Sequence, residues 1–227
     1  MNVIRLSVFV LLLAPLSAVG QDMPLSQILP DGTGWALSKE KPFKAHSLPG
    51  ALEEKEAFAS RAGADGPWFA TFPGMTGIQR VTEEGAWTMQ LPLGKATGVV
   101  AWPGGGTVVV GDADGRDLWA FRVTEKGDLV DGEPYYRLRL NLGQEKSGVR
   151  GLAVDPVGRV YAATPLGVQV FDTTGRMSGV LLKPGKGELT HVRVYVDREP
   201  PILSAICGGK RYDRPLKAGG LKVGPKR

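Results

Sequence analysis

One stretch of this 227-residue chain limits what the rest can fold into: Ser147 to Asp172. It holds three apolar runs, Leu152 to Val154, Val160 to Ala163 and Val168 to Phe171. Asp155-Pro-Val-Gly158 separates the first two, and Pro165-Leu-Gly167 separates the second from the third. Short apolar runs between Gly, Pro and Asp clusters read as antiparallel strands. A fourth run, Met177 to Leu182, follows Thr173-Thr-Gly175. Four strands joined by tight turns make one propeller blade.

The pattern recurs. Gly98 to Trp102, Thr107 to Val110 and Leu118 to Phe121 lie over Gly151 to Phe171 at nearly the same spacing. Blade starts fall near Thr97, Arg150 and His191. Periods of about 40–50 residues with four strands each point to a propeller array. A plain sandwich with regularly spaced strands is the competing reading. Trp68 to Phe72 and Gly77 to Val81 read as inner strands of a partial first blade, with Ala86 to Leu91 as its outer strand. The fold class is all-β, a β-propeller with about four blades' worth of chain.

The blades occupy residues 63–217. Residues 1–20 read as a secretory signal: Arg5, then the apolar Leu6 to Leu13, then small residues at Ala18-Val19-Gly20. The run is short for a bilayer span, which needs about 20 apolar residues. An uncleaved anchor is the alternative. Export to the periplasm or outside the cell, with no membrane contact after cleavage, is the expectation. Residues 21–62 are a lead-in, with a short strand at Gly34 to Leu37 and a short helix over Ala51 to Ala62 ending at Gly63. An N-terminal strand of this kind can pair into the last blade and close the ring. Residues 218–227 form a basic tail, read as a solvated end. The formal net charge is +5, and +4 once the leader's one Arg is removed. Outside the tail Lys and Arg do not cluster, so no nucleic acid is expected as partner.

The same stretches resemble the senescence-marker/gluconolactonase/regucalcin-like family of six-bladed propellers. Gly151 to Asp155, Val160 to Thr164 and Gly167-Val-Gln-Val-Phe-Asp172 follow the order of a late blade of that family. Val108 to Phe121, with Asp112, is similar to another blade. Arg211-Tyr-Asp-Arg-Pro-Leu-Lys-Ala-Gly219 is similar to the family's closing segment. The resemblance covers about Ala96 to Gly219, some two blades short of the family's six. A smaller ring, a shared ring and a shortened member are all open.

The resemblance implies hydrolysis of sugar lactones assisted by one divalent cation such as Ca²⁺. It also implies oxygen ligands from a Glu-Gly-Pro, an Asn-Gly blade start and an Asp-Gly blade start, the last Asp doubling as acid/base. Here those starts are Thr97-Gly98 and Arg150-Gly151, and Asp65-Gly66-Pro67 sits too close to its strand to align. A guanidinium in place of a carboxylate brings a fixed positive charge to a cation site. No metal ligand is therefore carried over. Thr97, Arg150 and His191 form instead a candidate anion site at one mouth: a hydroxyl, a fixed charge suited to a carboxylate, and an imidazole. The competing reading is an Arg150 that pairs with a neighbouring acid and a His191 that caps a strand.

Other motifs carry less. Asp112-Ala-Asp114-Gly-Arg-Asp117 has acids at calcium-loop spacing but lacks the length and final Glu of such a loop, so it reads as a hairpin turn. Trp102-Pro-Gly-Gly-Gly106 precedes a strand and reads as a turn. Cys207 is the single cysteine, which excludes an internal disulfide and reads as apolar filling within a strand. Two His make a zinc enzyme improbable. Two functions remain. One is a gluconolactonase-type hydrolase acting on a sugar lactone. The other is a noncatalytic exported propeller binding sugar acids or a protein partner.

Overall fold

A computed structural model describes residues 25–43 and 57–218. The expected leader over 1–20 and the tail from residue 219 onward lie outside these. After a 3-10 turn at Leu25–Gln27 come sixteen strands among the described residues. β1 is Ala36–Leu37. Blade 1 is β2 (Phe58–Arg61), β3 (Trp68–Thr71), β4 (Ile78–Thr82) and β5 (Gly85–Met89). Blade 2 is β6 (Ala96–Ala101), β7 (Thr107–Asp112), β8 (Asp117–Val123) and β9 (Leu129–Arg137). Blade 3 is β10 (Leu152–Val154), β11 (Val160–Thr164), β12 (Gly167–Phe171) and β13 (Met177–Leu182). Blade 4 is β14 (Leu189–Tyr195), β15 (Ile202–Cys207), β16 (Lys210–Pro215) and, outermost, β1. Four antiparallel four-stranded sheets thus form a β-propeller.

Two expectations change at the N-terminal end. Residues 58–61 were assigned to a helix over Ala51 to Ala62, but they are the innermost strand of blade 1, paired Phe58↔Thr71 to Arg61↔Trp68. Residues 51–56 lie outside the described set. Trp68–Thr71 is accordingly the second strand of a complete blade, and the blades begin at residue 58 rather than 63. Local composition favoured helix, but strand formation follows from the pairing partner ten residues on, which composition does not register. The lead-in strand behaves as the turn-rich 21–62 segment suggested: Ala36 pairs with Asp213 and Leu37 with Tyr212. The chain's first described strand thereby covers an edge of its last sheet.

Burial on both faces explains the continuous apolar runs. In β7, Val108 and Val110 point into a core shared with blade 1, while Val109 points into the core shared with blade 3. In β11, Val160 and Ala162 face blade 2, and Tyr161 and Ala163 face blade 4. Period-two alternation therefore places a residue in one seam and its neighbour in the next. Fully burying a Val contributes about 1.5–3 kcal/mol.

Three seams are built this way, between blades 1 and 2, 2 and 3, and 3 and 4. The fourth, between blades 4 and 1, differs among the described residues. The outer face of blade 1 carries its own small cluster of Ala57, Ala59, Ala70 and Phe72. Phe58, which packs on the core shared with blade 2, has its ring 4.7 Å from that of His191 in blade 4.

Turn chemistry holds the blades' corners. In Asp155-Pro-Val-Gly158, the Asp155 carboxylate accepts from the Val157 and Arg159 backbone N–H groups at 3.1 Å each. Asp172 repeats the device with Thr174 and Arg176 at 2.8 and 3.0 Å. Gln169, fully buried in β12, binds both polar groups of the Arg139 backbone, accepting from its N–H and donating to its C=O at 2.8 Å each.

Candidate ligand-binding site

The inner strands β2, β6, β10 and β14 surround a central cavity of about 410 Å³. That is within the usual range for small-molecule sites. Every blade contributes wall: Phe58 and Ser60, Val99 and Val100, Leu152 to Val154, and His191 to Tyr195. Phe43 of the lead-in completes it. A second hollow of about 330 Å³ opens at the opposite ends of the same strands, beside Arg61, Trp102 and Val196.

β14 supplies the chemistry. Its sequence His191-Val-Arg-Val-Tyr195 alternates, so His191, Arg193 and Tyr195 share one face while Val192 and Val194 pack into the seam with blade 3. His191 sits between two rings, edge-on to Phe43 at 6.2 Å and tilted over Phe58 at 4.7 Å. Its Nδ1 lies 2.8 Å from the Thr190 hydroxyl. The Arg193 guanidinium lies 4.9 Å over the Phe43 ring and 5.8 Å from that of Tyr195.

The three sequence candidates are only partly brought together. Successive blade starts do adjoin: a Cβ on Gly98 would lie 2.4 Å from the Arg150 carbonyl oxygen, and one on Gly151 3.0 Å from Cα of His191. The side chains diverge. Thr97 donates its hydroxyl to the Val149 carbonyl at 2.7 Å, tying blade 2 to blade 3. Arg150, half exposed, forms an ion pair with Glu188 and is not on the cavity wall. His191 alone of the three lines the cavity. Arg193 and the rings of Phe43, Phe58 and Tyr195 were missed. The alternation over 191–195 was a signal for Arg193. Phe43 arrives from 150 residues away and left none.

The wall does not fit a calcium-type ion. A hard cation takes six to eight oxygen ligands, chiefly carboxylates and carbonyls. Among the described residues, no carboxylate lines the cavity. Among the described residues, no three His, Cys, Asp or Glu side chains converge. The acids of Asp112 to Asp117 are committed to the hairpin between β7 and β8. Asp112 accepts from the N–H groups of Gly94, Lys95 and Asp114, Asp114 pairs with Lys146, and Asp117 with Arg137. Cys207 is buried in β15, its Sγ 3.4 Å from the Gly185 carbonyl oxygen.

Phe43 is held by a latch. Glu40 accepts from both terminal nitrogens of Arg198, at 2.5 and 3.0 Å, and from Arg211 at 2.6 Å. Ser38 donates to Asp213 at 2.6 Å. The hydrogen bond from Arg198 holds the Glu40 carboxyl below its usual pKa, with Arg211 adding to it. Burial pushes Asp213 up, but bonds from Ser204, Ser38 and Arg211 outweigh it and hold Asp213 low as well. Depressed carboxyl pKa values give stability that is present above the unfolded pKa and lost as pH falls through the folded one. Glu40→Gln is therefore expected to lower the Tm at pH 7. Melting curves will show the gap to wild type beginning to close as pH falls below the ordinary glutamate value of about 4.3, and closing fully only once pH has fallen through the lower folded-state value.

No family model and no curated protein matches this sequence. Solved structures match its fold. A gluconolactonase from Xanthomonas campestris is similar at 20% identity and TM-score 0.55, covering 74% of this chain and 61% of its own. Regucalcin from Agrobacterium tumefaciens, a calcium-binding protein, gives 15% and 0.55, covering 75% and 65%. A luciferin-regenerating enzyme gives 8% and 0.57, covering 77% and 65%. The chain thus spans less than two thirds of the length of these proteins. It has the fold of the gluconolactonase/regucalcin-family propellers, in divergent form, with four blades among the described residues where the sequence resemblance implies six.

Proposed function

We propose that this chain is a noncatalytic propeller whose central cavity binds a small organic anion, and that metal-assisted lactone hydrolysis is not its activity. One observation carries the reading. Among the described residues, the wall presents Arg193 and His191 and no carboxylate. Arginine offers a planar fork that matches a carboxylate. The blade starts that the resemblance gives to Asn and Asp ligands hold Thr97 and Arg150, engaged with Val149 and Glu188. Export through residues 1–20 is part of the proposal, and among the described residues no helix is long and apolar enough to cross a membrane.

Calcium calorimetry and a lactone assay test this. Titration with Ca²⁺ is expected to give no saturable heat, and aldonolactone hydrolysis is expected to match the buffer rate with or without Ca²⁺. Saturable calcium binding together with metal-dependent turnover would overturn the proposal.

A further inference from the structure

Resting on the reading that the central cavity takes a ligand, we infer that residues 38–43 are a strap that closes one side of it, and that Glu40 sets whether the strap is seated or open. Glu40 is not on the cavity wall, whereas Phe43 is. Glu40 is thus a positioning residue, acting on the cavity through Phe43.

The place of the strap is the first support. Three seams between blades are filled by apolar cores, and among the described residues the seam between blades 4 and 1 has no such shared core. Val192 and Val194 point from β14 toward blade 3, so His191 and Tyr195 lie on its other face, toward that seam. Phe43 stands against this face, its ring 6.2 Å from that of His191 and 6.4 Å from that of Tyr195.

The attachment is the second support. Ala36 and Leu37 pair with β16, and the Ser38 N–H donates to the Arg211 carbonyl at 2.9 Å. Among the described residues this is the last backbone bond from the lead-in to blade 4. Beyond it the segment is held by side chains, through Glu40 on Arg198 and Arg211 and through the Phe43 ring. Glu40 is 46% exposed and Arg198 33%, within reach of solvent and salt. Segments with few buried contacts open locally while the rest stays folded. Opening also leaves no buried charge alone, because Arg211 keeps Asp213 at 2.9 Å and Ser204 at 3.1 Å when Glu40 departs.

A thiol placed in the cavity tests this on the full chain. Ser60, on the wall, is changed in Ser60→Cys, and its alkylation by the uncharged reagent N-ethylmaleimide is followed by peptide mass spectrometry. Cys207, buried in β15, reports global opening in the same sample. Glu40→Gln, and separately Arg198→Gln, is expected to speed alkylation of the cavity thiol about threefold to fivefold, the scale of an exposed ion pair. Cys207 is expected to react at an unchanged rate. Molar NaCl is expected to speed the chain that retains Glu40 and to leave Glu40→Gln unchanged. Deuterium exchange at the His191 ring carbon gives the same comparison without a new cysteine, and the same order is expected. Equal rates with and without Glu40 by both readouts would overturn the strap. So would a cavity thiol that already reacts as fast as in the urea-unfolded chain, or a parallel acceleration of Cys207. No ligand enters these measurements, so a failed strap leaves the anion reading standing, and a failed anion reading leaves the measured access unchanged.

Discussion

Asp155→Ala is expected to destabilise the fold by about 3–5 kcal/mol, the usual cost of removing one partner of a buried ion pair. The Asp155 side chain is wholly buried and that of Arg159 is 1% exposed. Arg159 Nε donates to Asp155 at 2.6 Å, and the Tyr161 hydroxyl donates to the same carboxylate oxygen at 3.0 Å. The other oxygen closes the turn through Val157 and Arg159 N–H groups. Burial first, and the Asp155 charge second, hold the Tyr161 pKa well above its usual value, so it remains a donor. One substitution thus removes a charge partner, a hydroxyl partner and a turn cap. At this chain length the loss is a Tm drop of roughly 6–20 °C. Thermal and urea denaturation will read it, and Asp155→Asn, which keeps an acceptor, is expected to fall between. A Tm within a degree of wild type for Asp155→Ala would show that the pair contributes nothing.

The second large effect lies in the cavity. Arg193→Gln is expected to weaken carboxylate binding tenfold to hundredfold, corresponding to about 1.5–3 kcal/mol for a buried hydrogen bond to a charge. Arg193→Lys keeps the charge but not the fork, and is expected to recover part of the loss. Arg150→Ala is expected to change affinity by less than about twofold, because that guanidinium is engaged with Glu188 at the rim and is screened by solvent. Equal losses for Arg150→Ala and Arg193→Gln would return the anion site to the blade starts.

Local chemistry made much of the fold legible. Asp155-Pro-Val-Gly158 announces its turn because the Asp side chain reaches N–H groups two and four residues on. Thr107 to Val110 and Gly167 to Phe171 read as strands because both their faces are buried, so apolar residues run on without a break. The starts at Thr97, Arg150 and His191 mark true blade beginnings. What escaped was set by distant partners. Phe58–Arg61 is a strand because Trp68–Thr71 pairs with it. Arg150 pairs with Glu188, 38 residues away, the competing reading of that residue. Phe43 reaches the cavity because Glu40 is pinned by Arg198 and Arg211 from the far end of the chain. Spacing along a chain cannot report such pairings, whereas the alternation of His191, Arg193 and Tyr195 was in plain view.

The proposed function has a small organic anion bound in the cavity without a metal. It is tested by the affinity of the wild-type chain for a sugar acid such as gluconate in the presence of EDTA and again in millimolar Ca²⁺. Equal dissociation constants in the two conditions are predicted, since in the proposed reading no cation takes part in binding. Binding that disappears in EDTA and returns with calcium would contradict the account, because the carboxylate would then be held through a cation that the wall described above does not fit.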